Sequence, residues 1–105
     1  MQYDSDGNER PDPAFVLRGT VAGKAVAVEV SHHAGDRMRQ RGIEADAVLL
    51  CLTLPDDRNL PADPPRLRHA RLERDGRRTN VVFERIDWDT DAPVIVVISV
   101  FRTSR

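Results

Sequence analysis

Cysteine is nearly absent from this chain of 105 residues: Cys51 stands alone. That excludes an intrachain disulfide and points to a reducing compartment, the cytoplasm. Lysine is equally scarce. Lys24 is the only one, and arginine supplies the other fifteen of the sixteen cationic side chains. Arginine grips phosphate through a planar, bidentate fork, although an arginine-rich codon usage produces the same excess. No apolar run reaches the ~18 residues of a membrane span, and the acidic opening lacks the basic start of a secretory leader. A net charge of −1 excludes a uniformly basic nucleic-acid binder and leaves room for a local patch. There is no glycine-rich phosphate loop, and Ser99 has no glycines around it to form a nucleophile elbow. His32, His33 and His69 have no cysteine or carboxylate that would complete a zinc site, and adjacent histidines do not easily share a tetrahedral ion. The sequence therefore implies no metal and no cofactor. Cys51 sits among apolar residues and reads as a buried thiol rather than a nucleophile.

What is present fits one domain with a single core. Residues 1–13, with Asp4, Asp6, Glu9 and Asp12 beside two prolines, read as a flexible acidic tail, and 14–105 as the folded domain. Phe15 to Val30 predicts two strands turning near Ala22-Gly23-Lys24, since Val26, Val28 and Val30 alternate with a period of two. Ser31 is a good N-cap, and Gly42 suits the left-handed position just past a helix, with Ile43 folding back on Met38; the helix between spans 32–41. Ala45, Val48, Leu49 and Leu52 define a second, largely buried helix that Pro55 ends. Pro55 to Pro65 reads as a loop. Asp75-Gly76 predicts a tight hairpin between Arg66–Glu73 and Arg78–Ile86, with the register of the first strand unclear because Leu67 and Leu72 have opposite parity. Val94 to Phe101 is apolar on both faces and belongs in the middle of a sheet. The expected class is α+β, two short helices on one face of a largely antiparallel sheet.

The first helix carries the chemistry. His33, Arg37 and Arg41 recur at i+4 steps and spiral along one side. His33 lies in the first turn, where the helix dipole favours the neutral, basic imidazole; Arg41 lies at the end where the dipole favours a cation. A titratable base beside two permanent cations suits proton abstraction and phosphate stabilisation. Three solvated cations on a short helix are an equally simple description. Residues 66–85 hold seven arginines against Glu73, Asp75 and Glu84, a local net charge of +4. A basic hairpin of this kind serves either as a nucleic-acid footprint or as a charged edge that resists aggregation.

Ser31-His32-His33-Ala34, Arg37-Met38 and Arg41-Gly42-Ile43 resemble a family of small bacterial domains of unknown function that opens S-x-H-A-x-x-R-M-x-x-R-G-I. The closing Val96-Val97-Ile98-Ser99-Val100-Phe101 echoes that family's last strand, so the likeness extends over roughly 26–101. The family is allied to RelE/ParE-type toxins and to barnase-, EndoU- and colicin-like ribonucleases. The resemblance implies two helices on a curved antiparallel sheet and metal-independent RNA cleavage through a 2′,3′-cyclic phosphate. It assigns catalysis to His33, Arg37 and Arg41. Ser99 takes the place of the family's threonine in contact with substrate, and Arg78 and Arg102 are further candidates for phosphate contact. Phe101 stands where a tyrosine is usual, which removes a hydroxyl, and Glu44 stands where a serine usually caps the second helix. The implied partners are RNA and a cognate antitoxin or immunity protein, with no membrane. The alternative is a non-catalytic RelE/ParE-like module that binds a protein partner.

Overall fold

Val26, Val28 and Val30, which alternate in the sequence, all turn inward and are buried in the structure. This computed structural model describes residues 2–3, 9–55, 57–60 and 67–104, with side chains described over 10–55 and 67–103. In chain order the elements are β1 (Gln2–Tyr3), β2 (Glu9–Arg10), β3 (Phe15–Val21), β4 (Lys24–Val30), α1 (His32–Arg41), α2 (Ala45–Thr53), β5 (Asp57–Leu60), β6 (Arg68–Arg74), β7 (Arg77–Ile86) and β8 (Val94–Ser104). β1 and β2 pair only with each other. The other six strands form one open mixed sheet in the order β3-β4-β8-β7-β6-β5.

Two turns set the local geometry. Ala22 and Gly23 have φ of 52° and 78°, and Asp75 and Gly76 have 55° and 77°. Positive φ at both central residues matches the right-handed twist of the strands on either side. The expected hairpins are therefore both present, and their registers follow, with Val21 opposite Lys24 and Arg74 opposite Arg77. The register left open by Leu67 and Leu72 is set by Ala70 and Leu72, which lie opposite Val81 and Thr79 and are buried. Leu67 precedes the strand.

Both helices lie on one sheet face. Val28, Val30, Ile95, Val97, Val81 and Val100 meet them there at 0 % exposure. Each such side chain contributes about 1.5–3 kcal/mol relative to leaving it in water. The long apolar strand β8 is central, as its composition requires, flanked by β4 and β7. Four of the five pairings in the sheet are antiparallel, but β4 and β8 run parallel, with Val28 beside Ile95 and Val30 beside Val97. The connection between them contains both helices and the β6–β7 hairpin, the long return that parallel strands need.

A bulge in β8 decides which residues face the helices. Val82 lies opposite Ser99 and Phe83 opposite Val97, so Ile98 is an extra residue on β8. Beyond it the alternation is inverted. Val97 and Val100, three positions apart, both point to the helices, as does Arg102 opposite Thr79. Ser99, Phe101 and Thr103 point to the opposite face.

Two expectations are corrected. The 55–65 loop contains β5, whose Asp57 and Leu60 pair with Arg71 and His69; residues 56 and 61–66 lie outside the described residues. An edge strand is held by backbone bonds and needs no apolar pattern to form. The acidic tail is also not loose throughout. Within it Arg10 forms a largely buried ion pair with Glu29, and just past its end Ala14 donates its N–H to the Val30 carbonyl at 2.8 Å. Residues 1 and 4–8 of that tail lie outside the described residues. No helix among the described residues is long and apolar enough to cross a membrane.

Candidate active site

The helix expected to carry the chemistry is fixed at both ends. The Ser31 hydroxyl accepts the Ala34 N–H at 3.1 Å, and its own hydrogen points to the Ile98 carbonyl at 3.4 Å. The Ser31 N–H also bonds the Val97 carbonyl at 3.1 Å, so the cap is tied directly to the bulge of β8. At the other end Gly42 has φ 63° and ψ 36°, and the N–H groups of Gly42 and Ile43 return to the carbonyls of Arg39 and Met38. This is the left-handed Schellman ending. Ala34, Gly35 and Met38 face the sheet and are buried, while His32, His33, Asp36, Arg39, Gln40 and Arg41 are exposed.

Both histidines line one cleft of about 280 Å³ at the start of the helix. Ser31 and Val96 form its base, and Arg10 to Pro13 form the opposing wall. The wall is held by the Arg10–Glu29 pair, whose side chains are 12 % and 9 % exposed. Glu29 projects from β4 on the face away from the helices, beside Val96 of β8. Removing one member of a pair this buried costs about 3–5 kcal/mol, because the other charge is left desolvated. The Arg10 Nε is buried with no hydrogen-bond partner among the described residues.

The cleft is also a helix N-terminus. Ser31 satisfies the N–H groups of Ala34 and Gly35, whereas those of His32 and His33 lie in the first turn, where no intrahelical acceptor exists. Free N–H groups together with the positive end of the helix dipole favour an anion such as phosphate.

The remaining predicted residues do not converge there. Arg37 lies one helical turn from His33 and is half-buried, with its Nη1 donating to Gln40 Oε1 at 3.2 Å. Arg41 lies about 12 Å from His33 along the axis, at ~1.5 Å per residue, and its Nη1 donates to the Val100 carbonyl at 3.3 Å. Ser99 is on the same sheet face as Val96, the next position beyond the bulge, but does not line the cleft. Arg78 is on that face near the β6–β7 turn and donates to Glu73 Oε2 at 3.2 Å. Arg102 is on the helix face, in a separate cleft between the start of α2 and the β6–β7 hairpin, among Glu44, Asp46 and Asp75. Phe101 packs its ring 5.7 Å from His69, and His69 Nε2 meets Asn80 Oδ1 at 2.9 Å. These far-face groups tie strands to one another.

The structure thus brings His33 together with His32 and Arg10, and leaves Arg37 as the nearest of the other predicted residues. His32 was legible only as the neighbour of His33. Arg10 and Glu29 are 19 positions apart, and nothing in either segment signals the pairing. Among the described residues no group of three or more His, Cys, Asp or Glu side chains is placed to hold a metal ion. Comparison with family models, with curated proteins and with solved structures gives no match to the chain.

Proposed function

We propose that this domain is a cytoplasmic, metal-independent endoribonuclease of the RelE/ParE-toxin-like kind, with its reaction centre in the cleft at the start of α1. The observation that carries this reading is that two histidines line one cleft at a helix N-terminus, where the N–H groups of the first turn have no intrahelical acceptor. Neutral His33 takes the proton of a ribose 2′-hydroxyl. The 2′ oxygen attacks the adjacent phosphorus, and the bond from phosphorus to the 5′ oxygen breaks. Protonated His32 gives its proton to that leaving oxygen, so the products are a 2′,3′-cyclic phosphate and a 5′-hydroxyl. The N–H groups of the first turn and the Arg37 guanidinium, one turn further on, hold the phosphate oxygens as charge develops on them. Arg41, Arg78, Ser99 and Arg102 stand outside this centre. The S-x-H-A-x-x-R-M-x-x-R-G-I resemblance supports the same assignment for His33 and Arg37.

The test is a short RNA of mixed sequence in excess EDTA, compared with the same strand carrying 2′-deoxyribose throughout. Cleavage of the RNA alone, leaving cyclic phosphate ends, is the expected result. Cleavage of both strands, or of neither by folded protein, contradicts the proposed chemistry.

One observation favours a second reading, a module that binds a protein partner. β3 is an edge strand of seven residues with Phe15 and Val16 exposed at 38 % and 47 %. A strand from an antitoxin or immunity protein adds to such an edge by backbone bonds. The same contact would also serve to restrain an active toxin.

A further inference from the structure

A second cavity, of about 190 Å³, lies at the other end of β4, on the helix face of the sheet. Seven residues of strand, about 20 Å at ~3.3 Å per residue, separate it from the α1 cleft. Its floor is apolar: Val21, Leu52, Ala70 and Phe83 line it and all are buried. Its rim is cationic. Arg68 lies opposite Phe83 across β6 and β7, and Arg85 follows two positions along on the same face of β7. Among the described residues no carboxylate lines it.

The two arginines line the same rim, close enough that the charge of Arg68 acts on Arg85. Neither forms an ion pair among the described residues. Partial burial and the charge of Arg68 lower the Arg85 pKa from its ordinary value, with Asp89 offsetting part of the effect. Arg85 is fixed by stacking on Trp88, its guanidinium carbon 4.7 Å from the ring centre. Trp88 is itself held by Lys24, whose Nζ donates to the Trp88 carbonyl at 2.9 Å and lies 5.6 Å from the ring. The positive charge at this rim is therefore held in place by the surrounding structure.

We infer that this cavity is a binding site for a small aryl oxyanion. The ring rests on the floor against Phe83 and Trp88, and a carboxylate or phosphate head bridges Arg68 and Arg85. The size sets the class of ligand. Pockets for drug-sized molecules occupy roughly 300–1,000 Å³, so this one accepts a single ring. Aromatic walls favour an aryl over an aliphatic body, and paired guanidinium groups favour a planar or tetrahedral oxyanion that each can chelate. The site lies on the opposite sheet face from the α1 cleft, so it stands whether or not that cleft cleaves RNA.

Trp88 is the only tryptophan in the chain, which makes its fluorescence a direct reporter. The experiment titrates the protein with phenyl phosphate and with benzoate, beside benzyl alcohol and inorganic phosphate as controls. A saturable Trp88 response to at least one aryl anion is expected, at least tenfold weaker in Arg68→Gln, with no saturable response to either control. The tighter aryl anion identifies the head group as phosphoryl or carboxylate. Arg68 is exposed, and a thermal melt confirms that the variant is folded; Arg68→Lys should retain part of the affinity. The inference is overturned by no saturable response up to about 10 mM, an undiminished response in Arg68→Gln, or a control that binds as well as the aryl anions.

Discussion

The two helices differ little in length, at ten and nine residues, and rest on the same sheet, yet they are held in different ways. α1 buries only Ala34, Gly35 and Met38 and is secured by its ends, with Ser31 capping one and Gly42 closing the other. α2 has no side-chain cap at Glu44 and no left-handed residue at its end, and it buries Val48, Cys51 and Leu52. The Cys51 thiol lies 3.4 Å from the carbonyls of both Ala70 and Thr79, deep between helix and sheet. A helix with satisfied ends can leave most of its surface polar, which frees α1 to present histidines and arginines to solvent. α2 has to be apolar because burial is what holds it.

Substitutions separate the two modes. Leu52→Ala removes a buried side chain from α2 and should lower stability by about 2–5 kcal/mol. Urea unfolding measures this; a loss under about 1 kcal/mol would mean that α2 does not depend on its packing. Ser31→Ala should cost about 0.5–2 kcal/mol, with the effect centred on α1. Amide exchange at Ala34 and Gly35 should rise with it, while exchange in α2 stays as it was. Gly42→Ala meets open space but keeps a φ of 63°, so its penalty is one of backbone conformation, about 1 kcal/mol. The smallest effect has the opposite sign. Glu44→Ser supplies the cap that α2 lacks and should raise stability by about 0.5–1 kcal/mol. If it gives no gain, the helix start is already satisfied in another way.

The same contrast explains what the sequence disclosed. α1 is recognisable residue by residue because its determinants are local: Ser31, Gly42 and Ile43 lie within one turn of the groups they satisfy. The Asp75-Gly76 hairpin is legible for the same reason. The parallel pairing of β4 with β8 is not, since Val26 to Val30 is apolar whichever strand lies beside it. The Ile98 bulge hid the disposition of the site. Strict alternation from Val97 would put Ser99 on the helix face and Arg102 on the other, and one extra residue exchanges them. Likewise, i+4 spacing places His33, Arg37 and Arg41 along one helix without showing that Arg41 is engaged by the Val100 carbonyl. The cleft depends on Arg10 and Glu29, a contact between distant segments that no local pattern announces.

If α1 is anchored at both ends so that its first turn can do chemistry, RNA cleavage must depend on that turn. The most direct measurement is cleavage of total RNA in excess EDTA by the intact protein, beside His33→Ala and Arg41→Ala. Cleavage should fall at least a hundredfold in His33→Ala and persist within a few fold in Arg41→Ala, with all three proteins folded. Equal cleavage by the intact protein and His33→Ala, or none by any of them, would contradict this role for the first turn.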